Sequence, residues 1–268
     1  MECRHAIITG GSSGIGLEIA KLLLHEGYNV SIISRDKIKL QKAYEELLTL
    51  CPEPSQIVSQ FSADVTDKTG IVAAIRSAVG KAGHPDLLVT CAGVARPGYF
   101  QELPAEIFEQ IMSVNYLGTV YTVKAVVPLM QGQGNGHIVM ISSGAGLVGL
   151  FGYSAYSPSK FAVRGFAESL RSELKIYGIT ISVVYPPDTN TPQLQEELPY
   201  KPPETRAIVG KTSVLSAENV AREIVKGIKK NRFSITPGAG MKILNLAHSL
   251  INPFLRIYFD YLVKKTIK

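Results

Sequence analysis

Short apolar runs alternate along this chain with longer stretches in which apolar residues recur every three or four positions. The runs are Ala6–Thr9, Val30–Ser34, Ile57–Ser62, Leu87–Cys91, His137–Ser142, Thr180–Tyr185 and Phe233–Thr236. Near-continuous apolar segments bounded by turn residues are the pattern of strands buried on both faces. After the first run, Ile15, Ile19, Leu22 and Leu23 have the spacing of an amphipathic helix. About seven strands with helices between them predict an α/β domain, a doubly wound parallel sheet in three α/β/α layers. Ligands in such an arrangement bind beyond the carboxyl ends of the strands.

Two stretches depart from the alternation. Pro186 to Pro203 is proline-rich and reads as an insertion over the substrate side of the sheet. Met241 to Lys268 is heavily apolar, yet Asn245, His248, Asn252, Arg256 and Asp260 recur on a polar side and Pro253 interrupts it. That is too polar and too broken to predict a membrane-spanning helix. Tyr258, Tyr261, Lys264, Lys265 and Lys268 suit a helix lying on an anionic membrane surface. A helix packed on the domain or on a second subunit is the alternative. With 268 residues, 46% of them hydrophobic, the chain can bury one substantial core, and no repeat or internal boundary divides it.

Cys3, Cys51 and Cys91 have the spacing of neither a disulfide framework nor a metal site, and the five histidines show no ligand spacing. No metal is expected. Cys91 falls in a core run, which predicts a packed, reduced thiol in a reducing compartment. The first strand begins too early for a signal peptide to precede it.

Candidate chemistry begins at Arg4 to Gly16, RHAIITGGSSGIG. A strand that runs through glycines into a helix offers backbone N–H groups and a positive helix end to a phosphate. Gly10 allows the turn, Gly14 close approach to pyrophosphate, and Gly16 helix–sheet packing. Ser12, Ser13 and Ile15 complete the loop. The spacing T-G-x-x-x-G-x-G is wider than the usual dinucleotide fingerprint, but its place in the pattern identifies the sheet as Rossmann-type.

A second cluster lies in ISSGAGLVGLFGYSAYSPSK. Residues four apart share a helix face, so Lys160 stands beside Tyr156. Moving a phenol from ~10 to roughly 7 takes about 4 kcal/mol at ~1.36 kcal/mol per unit, and a neighbouring cation supplies much of it. A general acid works best near the operating pH. A serine thirteen residues upstream of the tyrosine, Ser143, is placed to hydrogen-bond a substrate oxygen. Ser142 adjoins it as the alternative, and the offset favours Ser143.

With both motifs in one chain, the sequence resembles the short-chain dehydrogenase/reductases from about residue 4 to residue 236. The resemblance implies an NADP(H)- or NAD(H)-dependent carbonyl reductase, with Ser143 polarising a ketone, Tyr156 as acid, and Lys160 binding the nicotinamide ribose. It implies that Asp64 and Val65 end the third strand at the adenine. Cys91-Ala92-Gly93 takes the family's N-A-G position, and Asn115 holds a proton-relay water against the lysine. Pro186 to Thr191, with Thr189 and Thr191, takes the place of the nicotinamide loop. Two departures stand out. Cys91 after Thr90 alters a hydrogen bond at the sheet edge, and Pro187-Asp188 replaces a glycine step. Together with NYLGTVY, GLFGYSAYSPSKFAVRG and KPPETR, these departures are similar to the family's 3-dehydrosphinganine reductase group, which implies that ketone as substrate.

Lys plus Arg exceed Asp plus Glu by six. No aromatic–basic interleaving accompanies this excess, so nucleic acid is excluded as a partner. After the second strand the chain reads IISRDK, where Arg35 accommodates a ribose 2′-phosphate, with Lys39 adding charge. That favours NADPH over NADH, and Asp36 suits the N-cap of the next helix better than a ribose.

The expected organisation is a catalytic domain over residues 1–240, a substrate loop at about 186–212, and a helical segment over 241–268. The expected partners are an apolar lipid ketone, a homo-oligomer (dimer or tetramer), and a membrane surface facing the cytoplasm if the last segment lies on one. Broader reduction of steroid or retinoid ketones remains open. So does a sensor that holds NADP(H) without turnover, although the Asn–Ser–Tyr–Lys set argues against it.

Overall fold

The computed structural model describes residues 4–210 and 214–267. Cys3 and Lys268 lie outside them. The strands β1 (His5–Thr9), β2 (Asn29–Ser34), β3 (Val58–Ser62), β4 (Leu87–Thr90), β5 (Gly136–Ile141), β6 (Ile179–Val184) and β9 (Ser234–Ile235) form one parallel sheet in the order β3-β2-β1-β4-β5-β6-β9. Each of the seven predicted runs is a strand, with ends shifted by a residue or so. The order reverses between β1 and β4, which opens a crevice at their carboxyl ends. Cys91 stands just beyond β4, and Asp64 and Val65 lie past β3 in the following turn rather than ending it.

Alternation along each strand sends neighbours to opposite faces. Ala6 and Ile8 of β1 join the core beneath α1 (Gly14–His25), α2 (Lys37–Thr49) and α9 (Ala217–Lys229). Ile7 joins the core beneath α3 (Lys68–Ala82), α5 (Gly118–Gln133) and α6 (Tyr156–Lys175). All three are fully buried, and such side chains stabilise by ~1.5–3 kcal/mol each.

The helix α4 (Ala105–Met112) passes into α5 through a π-helical turn at Ser113–Leu117. The proline-rich stretch is folded. It contains β7 (Thr189–Asn190), α7 (Pro192–Glu197), a 3-10 turn at Leu198–Tyr200, and α8 (Pro203–Val209). The short β8 (Leu215–Ser216) pairs with β7.

The last helix, α10 (Ala239–Ile267), runs unbroken through Pro253, which corrects the expected interruption. A proline in a helix interior costs ~3 kcal/mol, and packing on both sides of it offsets that cost: Leu244, Leu255 and Phe259 all rest on the core. The opposite face exposes Ile243, Leu246, Leu250, Phe254, Ile257 and Tyr261 at helical spacing. Among the described residues, no helix is long and apolar enough to cross a membrane.

Candidate active site

One cavity of about 950 Å³ opens at the switch point and receives both sequence clusters. On its first side, Gly10 and Gly14 have left-handed φ of +69° and +54°, which a side chain disfavours. A Cβ on Gly10 would lie 2.6 Å from the Ala92 nitrogen, and one on Gly16 would strike the Gly10 carbonyl. Gly16 therefore packs the helix onto the turn itself. The N-cap Ser13 makes no side-chain bond to the first N–H groups of α1. These glycines leave a backbone cradle that any Cβ would fill, with helix N–H groups beside it. Both fit a pyrophosphate.

The rim of the cavity is charged. Ser12 donates to Ser34 (2.9 Å). The exposed Arg35 guanidinium lies 3.6 Å from Asp64. The Asp64 carboxyl sits below its ordinary range: partial burial opposes ionisation, but bonds from Thr66 and the charge of Arg35 outweigh it. Asp36 accepts from the Ile38 and Lys39 N–H groups (3.0 Å each), so it is occupied as the N-cap. Lys39 reaches Glu196 on α7 at 3.6 Å. Val65 lines the cavity while packing on Gly118.

At the floor, Ser143 caps a 3-10 turn and its Oγ accepts from the Ala145 N–H at 3.1 Å. It lines the cavity beside Tyr156, the first residue of α6, and favours ionisation of its phenol. Ser142 faces elsewhere, donating to the Lys160 carbonyl (2.8 Å). The geometry thus separates the two serines in favour of Ser143. Lys160 Nζ lies 5.6 Å from the Tyr156 ring centre and donates to the Ile141 carbonyl at 3.0 Å.

One expectation needs correcting here. Burial, reinforced by the Glu197 carboxylate, raises the Tyr156 pKa against the pull of Ser143 and Gln193, opposite in direction to the lowering expected from Lys160. Burial also pushes Lys160 down, to about 8. The Asn115 side chain is held by protein groups. Its Oδ1 accepts from the Val94 N–H (2.8 Å), and its Nδ2 donates to the Val94 carbonyl (3.0 Å) and to Ser159 (2.9 Å). It clamps the segment after β4 to α6. Gly93 lies between the clamp and the ammonium, since a Cβ there would be 3.3 Å from Asn115 Oδ1 and 3.5 Å from Lys160 Nζ.

The altered residues after β4 have a visible consequence. Thr90 Oγ is buried without a hydrogen-bond partner. The Cys91 thiol lines the cavity half-buried and is pushed up to about 11, mainly by burial, so it stays protonated.

The covering segment meets both halves of the site. The Pro186 carbonyl accepts from the Gly144 N–H (2.9 Å), Thr189 donates to the Pro187 carbonyl (2.8 Å), and Thr191 caps α7. Thr191 stands over the cradle, its Cγ2 3.0 Å from where a Gly14 Cβ would be. The far wall is apolar, with Ile111, Val148, Ile208, Leu244, Leu255 and Phe259.

The short chain dehydrogenase family model matches residues 4–201. The chain belongs to that family. A Dictyostelium discoideum relative, 3-ketodihydrosphingosine reductase, is 44% identical over 98% of this chain and 83% of its own. A Bos taurus protein of the same name is 43% identical over 88% of this chain and 71% of its own. Among solved structures, an actinorhodin polyketide ketoreductase with NADPH superposes with a TM-score of 0.79 at 27% identity, over 89% of this chain and 97% of that one. A short-chain dehydrogenase is an oxidoreductase.

Sequence reasoning missed a cluster beside Tyr156. Glu197 accepts from Tyr153 Oη and from Gln193 Nε2, both at 2.8 Å. Asp188 lies 3.3 Å from the buried Lys201. Gln193 and Glu197 have the same i,i+4 spacing as Tyr156 and Lys160, a signal obscured by the prolines around them.

Proposed function

We propose that this chain reduces the ketone of 3-dehydrosphinganine to sphinganine using NADPH, a step of sphingolipid synthesis. The observation that carries the reading is the meeting of Ser143, Tyr156 and Lys160 at the floor of a cavity whose far wall is apolar. The names and near-complete overlap of the relatives support the substrate. When bound, NADPH supplies the hydride. The backbone around Gly10, Ser12, Ser13, Gly14, Ile15 and Gly16 would hold its pyrophosphate, Arg35 and Lys39 its 2′-phosphate, and Asp64 and Val65 its adenine. Ala92, Gly93, Pro186, Thr189 and Thr191 would flank the nicotinamide half.

Ser143 Oγ orients the ketone oxygen and Tyr156 gives it a proton. The raised phenol pKa keeps that proton in place until negative charge gathers on the oxygen, an alkoxide being the stronger base. Lys160 stabilises the phenolate left behind and reaches the ribose. Asn115 keeps the lysine and the Ala92–Val94 segment in register. On this reading residues 1–240 form the catalytic unit, the stretch at about 186–212 its substrate cover, and 241–268 an accessory segment.

The same proposal places α10 on a membrane surface facing the cytoplasm. Its inner face walls the cavity through Leu244 and Leu255, its outer stripe is apolar, and Lys264 and Lys265 close it. A long-chain ketone dissolved in lipid would then enter beside the helix. A homo-oligomer, dimer or tetramer, belongs to the proposal and is read by analytical ultracentrifugation.

The test incubates the full chain with 3-dehydrosphinganine and either coenzyme, following NADPH oxidation and sphinganine by mass spectrometry. Sphinganine formed with NADPH supports the reading. Coenzyme bound without turnover on that ketone, or on a steroid and retinoid panel, would leave a sensor.

A further inference from the structure

Glu197 is a buried carboxylate of this cavity that forms no ion pair among the described residues. Its side chain lines the cavity and is 6% exposed, yet its two oxygens are held only by neutral donors, Tyr153 Oη and Gln193 Nε2. The neighbouring acid, Asp188, has Lys201 at 3.3 Å. Among the described residues no cationic side chain forms an ion pair with Glu197. A buried charge without a counter-charge is expensive to keep.

Its position relates it to the reacting centre by two routes. Gln193 donates to Glu197 at 2.8 Å and lines the cavity beside the Tyr156 phenol, whose ionisation it favours. The Tyr153 ring lies 5.6 Å from the Tyr156 ring, with Glu197 on its hydroxyl. The carboxylate is thus one side chain away from the proton donor on either path, on the side of the cavity covered by α7.

We infer that Glu197 is the specificity-determining residue for an ammonium on the carbon adjacent to the ketone. The inference rests on the substrate proposed above, a 2-amino ketone whose cation is one bond from the carbon that is reduced. With the ketone oxygen between Ser143 and Tyr156, that ammonium falls within the span that Gln193 bridges. It supplies the ion-pair partner Glu197 lacks, while Tyr153 and Gln193 hold the carboxylate in place. Burial raises the Glu197 pKa against the pull of both hydrogen bonds and of the Lys201 charge, which acts from beyond ion-pair distance.

The experiment compares the full chain with Glu197→Gln on two substrates in NADPH: 3-dehydrosphinganine, and the same long-chain ketone lacking the amine. The readout is the ratio of kcat/KM for the two. The expected result is that the ratio falls about ten- to hundredfold in the variant, the scale of a lost contact to a charge. Equal loss on both ketones, or an unchanged ratio, overturns the inference. Should Glu197→Gln not fold, Glu197→Asp, which keeps the charge but withdraws it, must still lower the ratio. A wild-type chain that does not reduce the amino ketone overturns the proposed substrate and this inference with it. A wild-type chain that prefers the amino ketone, with that preference intact in the variant, overturns the inference alone.

Discussion

Ser142 and Lys160 clasp each other across the end of the sheet. The Ser142 hydroxyl donates to the Lys160 carbonyl at 2.8 Å, and the Lys160 ammonium returns across the same gap to the Ile141 carbonyl at 3.0 Å. The residue next in the chain, Ser143, is left to face the cavity. On the proposed reading, the neighbouring serines divide structure from chemistry. Ser143→Ala is expected to lower kcat at least tenfold with little change in Tm. Ser142→Ala leaves a buried lysine carbonyl short of a partner and is expected to cost ~1–3 kcal/mol of stability. Thermal melts beside steady-state kinetics separate the two effects, and a reversed pattern assigns the roles the other way.

Removing the proton donor tests the chemistry more directly. Tyr156→Phe is expected to reduce turnover about a hundredfold or more, the usual contribution of a general acid, while NADPH binding by fluorescence titration survives. Turnover near the wild-type level would remove Tyr156 from the mechanism.

The coenzyme rim gives a third expectation. Arg35 now faces Asp64 across 3.6 Å and is more than half exposed, so its contact with a phosphate is partly screened. Arg35→Ala should weaken NADPH binding about tenfold, within the ~1.5–3 kcal/mol of a charge-assisted bond, and leave NADH nearly unaffected. Equal weakening of both would show that Arg35 does not read the 2′-phosphate.

Much of this was legible in local pattern. The strands announce themselves as apolar runs, the glycine turn follows β1, and Tyr156 and Lys160 share one turn of α6. What the sequence did not disclose depends on contacts between distant segments. Glu197 and Gln193 reach Tyr153 and Tyr156 only because the proline-rich stretch folds back over β5. The phenol pKa depends on how deeply that cover buries it, which spacing cannot report. The Asn115 amide is occupied by Val94 and Ser159, each far along the chain. Pro253 reads locally as a break, and the helix continues because its neighbours are packed.

Acid should loosen the fold through a histidine remote from the site. His137 is buried on β5, bonded to Ser182 at 2.7 Å, and pushed down to about 4 by burial. The unfolded chain takes up this proton near 6.5 and the folded one only near 4, so stability is full above 6.5 and falls as pH drops between those values. At ~1.36 kcal/mol per unit the loss approaches about 3 kcal/mol. Urea midpoints across this range should show it, and His137→Asn should flatten the slope.

The outer stripe of α10 can be altered without touching the cavity. Leu246, Leu250 and Phe254 are 84%, 77% and 73% exposed, so replacing all three with serine should leave Tm almost unchanged. Liposome flotation should fall tenfold or more, since each buried side chain is worth ~1.5–3 kcal/mol. Activity on bilayer-borne ketone should fall more than on a short soluble one. A shift in sedimentation with no change in flotation would make the stripe a subunit contact.

That stripe and the cavity wall are two sides of a single rod. Leu244, Leu255 and Phe259 face inward from the same 29-residue helix that carries Leu246, Phe254 and Ile257 outward. A load on the outer side would therefore bear on the cavity wall through one helix, with Pro253, which has no N–H to donate at mid-length, as the weakest point of its hydrogen-bond ladder.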